Sequence, residues 1–90
     1  MSSAKQDFQT AVDKGPSRDE REDAIDSLAA SGACDKLAIL VQMGGLDGAL
    51  RRRALNSMAN AGCGDLLRTL AADGGLGEPL QSDAESLLDE

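Results

Sequence analysis

Two cysteines, three consecutive arginines and a surplus of carboxylates are the residues of this chain that could do chemistry. There is no histidine, so a nucleophile at Cys34 or Cys63 would have no imidazole base and would rely on a helix N-terminus alone to lower its pKa. The cysteines form no CxxC pair, which gives no zinc-ligand spacing. The carboxylates spread over what read as exposed helix faces, and Asp73-Gly74-Gly75 lacks the acidic spacing of a calcium loop. No GxGxxG or GxxxxGK[ST] string occurs, so nothing cradles a phosphate. No catalytic residue, metal or cofactor is expected.

The arginines Arg51, Arg52 and Arg53 are the one basic cluster in a chain of formal charge −7. Three consecutive residues on a helix fan over about 200° and cannot make one flat patch. Arg51 is expected to turn inward, leaving Arg52 and Arg53 exposed. They could form a complementary stripe against Glu22 and Asp23 of a neighbouring helix, or meet an acidic partner or nucleic acid. The acidic surface and the single aromatic, Phe8, disfavour nucleic acid, because phosphates are repelled and bases find no stacking platform.

The elements that must position these residues come from an internal repeat. Residues 21–46 (REDAIDSLAASGACDKLAILVQMGGL) and 51–76 (RRRALNSMANAGCGDLLRTLAADGGL) align without a gap at a shift of 30, with 11 of 26 positions identical. Such a period marks a stack of like helical units. Ala24, Ile25, Leu28 and Ala29 give a first apolar helix face that starts after a Ser17–Glu20 capping box. Gly32 breaks that helix, and Leu37, Leu40 and Val41 form a second face. Gly44-Gly45-Leu46 closes it, read as a glycine C-cap with a returning leucine. Asp47 as N-cap, Ala54, Leu55, Met58 and Ala59, Gly62, then Leu67, Leu70 and Ala71, and Gly74-Gly75-Leu76 replay the same order. Equivalent linkers imply equivalent turns.

The flanks read as half-units. Phe8, Ala11 and Val12 repeat the second-helix spacing, and Leu80, Ala84, Leu87 and Leu88 the first-helix spacing. The expected chain is one all-α domain of about six helices: an N-terminal capping helix at 4–14, repeat 1 at 17–46, repeat 2 at 47–76 and a C-terminal capping helix at 78–89. β-Branched residues never alternate with period two, which excludes a sheet. Cys34 and Cys63 fall one residue out of phase in the repeat. On parallel helices they would sit about 8–10 Å apart, so they are expected to be reduced, half-buried small residues.

The string D-x-x-L-R-x-x-A-L-x-x-M-x-x-x-G-x-x-x-x-L-x-x-L, from Asp47 to Leu70, resembles the short, about 30-residue HEAT-like repeat of the phycobilisome-lyase-type HEAT group. Residues 17–46 match it more loosely, with Glu20 where Leu50 stands. The resemblance implies a short right-handed α-solenoid and a non-catalytic protein-interaction or scaffold role. It also implies that Arg21 and Arg51 are inter-repeat arginines reaching toward an acidic residue, with Asp47 as the partner of Arg21. Family members usually stack more repeats than two.

In solenoids the second helices usually line the concave face. The core stripe of the first repeat leaves Lys36, Ile39 and Met43 along one flank, where the second repeat has Leu66, Thr69 and Asp73. Ile39 and Met43 are more apolar than a solvated flank requires, although the capping helix could cover them with Phe8. The candidate partner-binding residues are therefore Lys36, Ile39, Gln42, Met43 and Arg68, with Arg52 and Arg53. The expected partner is a protein or peptide; self-association into a weak homo-oligomer and a nucleic-acid role for Arg51 to Arg53 are the alternatives. No stretch is long and apolar enough to span a bilayer and MSSAKQDF has no signal-peptide core, which points to the cytoplasm; a monomer or weak homo-oligomer is expected. The Asp-rich, Lys-poor composition reads as a solubilising surface or as adaptation to high salt.

Overall fold

Residues 3–89 are described by the computed structural model, and they form six helices: α1 (Ala4–Val12), α2 (Arg18–Ala30), α3 (Cys34–Gln42), α4 (Gly48–Asn60), α5 (Gly64–Asp73) and α6 (Leu80–Leu88). The two flanking helices are shorter than expected. α1 stops at Val12 and α6 begins at Leu80, after Pro79 at its N-cap. Ser17 and Glu20 form the expected capping box, with the Glu20 N–H donating to the Ser17 hydroxyl at 3.2 Å and the Ser17 N–H to the Glu20 carboxylate at 3.2 Å. Ser3 and Gln6 make a second box on α1, so both helices begin with two otherwise orphaned N–H groups satisfied.

The turn inside each repeat is the more regular of the two linkers. Gly32 and Gly62 have φ of 70° and 78°, a backbone region open to glycine at no steric cost. They end α2 and α4 in the same way: the Ala33 N–H donates to Leu28 O and the Cys63 N–H to Met58 O, both at 2.9 Å. That is the six-residue closure of a Schellman turn. The linkers after the second helices differ, contrary to the expectation of equal turns. α5 runs to Asp73 and closes on Gly74 at φ 72°, whereas α3 ends at Gln42 with Met43 extended and neither Gly44 nor Gly45 at positive φ. The residue at the divergence explains the difference. Met43 is half-buried against the core, while Asp73 at the equivalent place is exposed.

Packing follows the repeat. α2, α4 and α6 touch in that order, and so do α1, α3 and α5; neither α1 and α5 nor α2 and α6 meet. Between the two rows lies a core of Ile25, Leu28, Leu37, Leu40, Val41, Leu50, Leu55, Met58 and Leu67, all essentially without exposure. Leu46 and Leu76 return from the linkers to cover its edge. Ala11, Leu80 and Ala84, from the flanking helices, are buried in the same cluster.

The rows are fastened by a contact that recurs with the period. Arg21 Nε donates to Ala11 O at 3.0 Å, Arg51 Nε to Val41 O at 2.9 Å and Gln81 Nε2 to Ala71 O at 2.7 Å. Each acceptor is one of the last carbonyls of a second-row helix, which has no partner inside that helix. Each donor comes from the first turn of the helix that follows. This corrects the expectation that Arg21 and Arg51 reach for an acidic residue: planar guanidinium donors suit an orphan carbonyl as well as a carboxylate, and the backbone ends are nearer. Asp47 pairs instead with Arg18, at 3.0 Å.

The cysteines also depart from expectation. Cys34 and Cys63 are joined by a disulfide, with Cα atoms 5.6 Å apart. The 8–10 Å spacing holds for residues facing each other along two helices. Cys34 is instead the first residue of α3, and Cys63 lies in the turn before α5. The one-residue phase difference places Cys63 in the turn rather than on the helix, where it can reach its neighbour. Neither sulfur is a free thiol.

Two predictions follow from these fasteners. Replacing Arg51 by Leu strands the Val41 carbonyl and should lower stability by about 1–3 kcal/mol, whereas Arg51→Gln, which copies the natural donor at position 81, should cost less than half as much. Urea denaturation of the two variants measures the difference. The disulfide closes a loop of intermediate length, for which the chain-entropy relation gives about 3–4 kcal/mol. Reduction by a phosphine, or Cys34→Ser, should therefore lower the melting temperature by more than about 10 °C.

Candidate interaction surface

A residue-by-residue account of the cations defines the surface. All six arginines are engaged within the chain. Arg21 and Arg51 hold helix ends; Arg18 meets Asp47 at 3.0 Å and Arg68 meets Asp65 at 3.1 Å. Arg53 grips Asp26 through two hydrogen bonds of 3.0 and 2.7 Å and approaches Glu22 at 3.7 Å. Arg52 turns the other way and bonds Asp83 of α6 at 2.9 Å. The three consecutive arginines thus serve three different helices, as their angular spread on α4 requires. Glu22 is an expected partner of the cluster and the pairing reaches one turn further, to Asp26; Asp23 makes no contact within ion-pair distance. The Asp26 hydrogen bond raises the Arg53 pKa still further, against an opposing effect of burial.

The lysines behave differently. Among the described residues, Lys5, Lys14 and Lys36 make no ion pair and no side-chain hydrogen bond. Two of the three stand beside one depression between α1 and α3, lined by Lys5, Phe8, Gln9, Lys36 and Ile39 with a volume of about 270 Å³. Its lining is mainly apolar. Ile39 is 47% exposed, the one large hydrophobic side chain so exposed among the described residues. Phe8 is half-buried and packs against the core from α1. It walls one side of the depression and leaves Ile39 open.

The helices set this geometry. Lys5, Phe8 and Gln9 follow an i, i+3, i+4 pattern on α1, and Lys36 and Ile39 are three apart on α3, so each set shares one face. The opposite face of α3 carries Leu37, Leu40 and Val41 into the core. Ile39 must then point away from it.

The remaining candidates scatter. Gln42 is exposed, but its amide donates to Ala38 O at 3.0 Å on its own helix. Met43 is half-buried against the core and contributes little free surface. Arg68 lies on α5, away from the depression, and Arg52 and Arg53 lie on α4 in the other row. Of the sequence-selected residues, only Lys36 and Ile39 line this depression. Lys5 and Gln9 escaped the sequence reading, although their spacing from Phe8 was a usable signal. Of the two arrangements left open, Phe8 covering Ile39 or leaving it exposed, the second is found: Phe8 forms a wall beside the open Ile39.

Among the described residues no group of three or more Cys, Asp or Glu is placed to hold a metal ion, and no helix is long and apolar enough to cross a membrane. A cavity of about 380 Å³ between the starts of α4 and α6 is lined by Gly48, Arg51, Arg52, Leu76 and Pro79, among others. Both of its guanidinium groups are already bonded elsewhere.

Asp47 offers a test of the ion-pair arrangement. The Arg18 hydrogen bond holds its carboxyl below the ordinary carboxylate range, with the nearby Ala49 and Leu50 N–H groups acting in the same direction although neither makes a side-chain capping bond. A carboxyl depressed in the folded state adds stability above its unfolded pKa, near 4, and loses it as pH falls through the lower folded value. Asp47→Asn should therefore melt at a temperature that changes less between pH 5 and pH 2.5 than the parent does. Equal acid slopes for the two proteins would show the pair to be energetically silent.

Comparison with protein-family models, with curated proteins and with solved structures gives no match to this chain.

Proposed function

We propose that the chain is a short HEAT-like solenoid, right-handed as in the repeats it resembles, that binds another protein without catalysing a reaction. The observation that carries this reading is the open Ile39 in the Lys-flanked depression between α1 and α3. An exposed aliphatic side chain on an otherwise polar surface is a common mark of a contact site. The ordered rows of helices and the capping contact repeated at positions 21, 51 and 81 support a rigid repeat stack. A rigid stack suits recognition because little ordering entropy is lost on binding.

The alternative readings receive less support. A nucleic-acid role for Arg51 to Arg53 needs those side chains free, and each is committed to a different helix. End-to-end self-stacking would bring Ser82 and Ser86 of one copy to Asp23 of the next, by the register that pairs Arg53 with Glu22 and Asp26. No ion pair would form there. A cytoplasmic location requires that the Cys34–Cys63 bond survive reducing conditions, because disulfides persist chiefly in oxidising compartments.

A photo-crosslinking amino acid at Gln9, installed in the full chain in its native cells, tests the proposal. A discrete protein adduct is expected from the parent chain. It should be lost with Ile39→Asp and retained with Ser86→Asp on α6. An adduct that survives Ile39→Asp, or crosslinks only to nucleic acid, would remove the depression from the function.

A further inference from the structure

Resting on the docking role of the α1–α3 depression, we propose that its occupant is an acidic protein segment: an apolar side chain seated between Phe8 and Ile39, with carboxylates on either side meeting Lys5 and Lys36.

Sixteen acidic residues face nine basic ones in this chain, so carboxylates outnumber the cations that could pair with them. The arginines take such partners or a backbone carbonyl. Lys5 and Lys36 do not. Flexible lysine stems can lie along the apolar walls while their ammonium groups stay in water. The depression therefore presents a mainly apolar floor with two uncommitted positive charges on opposite helices. A partner that seats one aliphatic or aromatic side chain and carries an Asp or Glu within a helical turn on each side would satisfy all three features. An i, i+3 or i+4 arrangement on an amphipathic helix provides that spacing.

Polyanions fit less well than a short acidic segment. Nucleic acid or an anionic membrane would bring many charges against a chain of net charge −7, and repulsion from the surrounding carboxylates grows with each phosphate brought close. A peptide with two or three carboxylates meets the local field of Lys5 and Lys36 against a smaller total repulsion. Complementary rim charges chiefly set partner choice and association rate, and the buried apolar residue sets the affinity.

The test selects ligands without assuming the partner. A phage-displayed library of random peptides is panned on the full chain and counter-selected on Ile39→Asp. The enriched peptide is then synthesised and measured by fluorescence anisotropy, while amide chemical shifts of the labelled protein map its position. The expected peptides hold an apolar residue flanked by Asp or Glu and perturb Phe8, Gln9 and Ile39. Ile39→Asp should weaken binding about tenfold or more. The double variant Lys5→Glu with Lys36→Glu, altered only at the rim, should weaken it about three- to tenfold at low salt, and a peptide with Lys in place of its acidic residues should restore affinity to that variant.

Peptides that map to the depression without acidic enrichment, or an affinity unmoved by the double reversal, would overturn the acidic occupant and leave the docking role intact. Peptides that bind parent and Ile39→Asp equally, or no enrichment at all, would overturn both. Binding of phosphatidylserine vesicles or of a single-stranded oligonucleotide that is abolished by the double reversal would assign the lysines to phosphate and overturn the protein occupant. A concentration-dependent dimer that Ile39→Asp dissolves in sedimentation would give the depression to a second copy, with the same effect.

Discussion

A helix that ends inside a protein leaves carbonyl groups that water can no longer reach, and in this chain the answer to that problem recurs with the period of the sequence. The donors at 21, 51 and 81 each rise from the first turn of a helix and bond a carbonyl at 11, 41 or 71. The contact fixes two things together: where one helix stops and how closely the next must approach it. Core packing alone would allow the rows to slide, because Leu and Ala faces fit in several registers. A directional hydrogen bond to one carbonyl does not. The third instance also shows what the sequence relaxes: Gln81 supplies the donor, but its Oε1 is left buried and unpaired, a burden that a guanidinium, which has no acceptor, never carries.

The charges on the α2, α4 and α6 row add order to this frame. The middle helix is basic where it meets its neighbours, with Arg53 directed to α2 and Arg52 to α6, and the outer helices answer with Glu22, Asp26 and Asp83. Each exposed pair contributes only about 0–1 kcal/mol. The pattern matters more for arrangement, since α2 beside α6 would place acid against acid. On α6, Ser82 stands where the earlier units have Glu22 and Arg52, and Ser86 where they have Asp26 and Asn56, so these two positions carry no charge to pair with a further unit.

Much of the fold was legible because repetition supplied its own control. The apolar faces at Ala24 to Ala29 and Leu37 to Val41, their copies thirty residues on, and the helices around Phe8 and Leu80 all appear where periodicity placed them. Three features were not legible, each for a physical reason. Glycine pairs looked like the left-handed caps, but only Gly74 of those four adopts that conformation; Met43 is drawn into the core and ends α3 early. The arginine partners were misassigned because sequence displays charges and not the orphan carbonyls of helix ends. The disulfide was missed because helix spacing was applied to a residue, Cys63, that lies in a turn. At the candidate surface, Ile39 and Lys36 stood out against their repeat equivalents Thr69 and Leu66. Lys5 had no equivalent cation to be compared with, since the repeat aligns it with Asp35 and Asp65.

The Cys34–Cys63 bond has a mechanical consequence for the surface it does not touch. It clamps the start of α3 to the turn before α5, so one wall of the depression belongs to a covalently braced body. The other wall, α1, meets α3 more sparsely than any other touching pair of helices, and is held chiefly against α2. The two walls are thus braced by different means, one by a covalent bond and the other by packing on α2 and the Arg21 bond to Ala11 O, so a side chain seated between them would bridge two separately anchored supports.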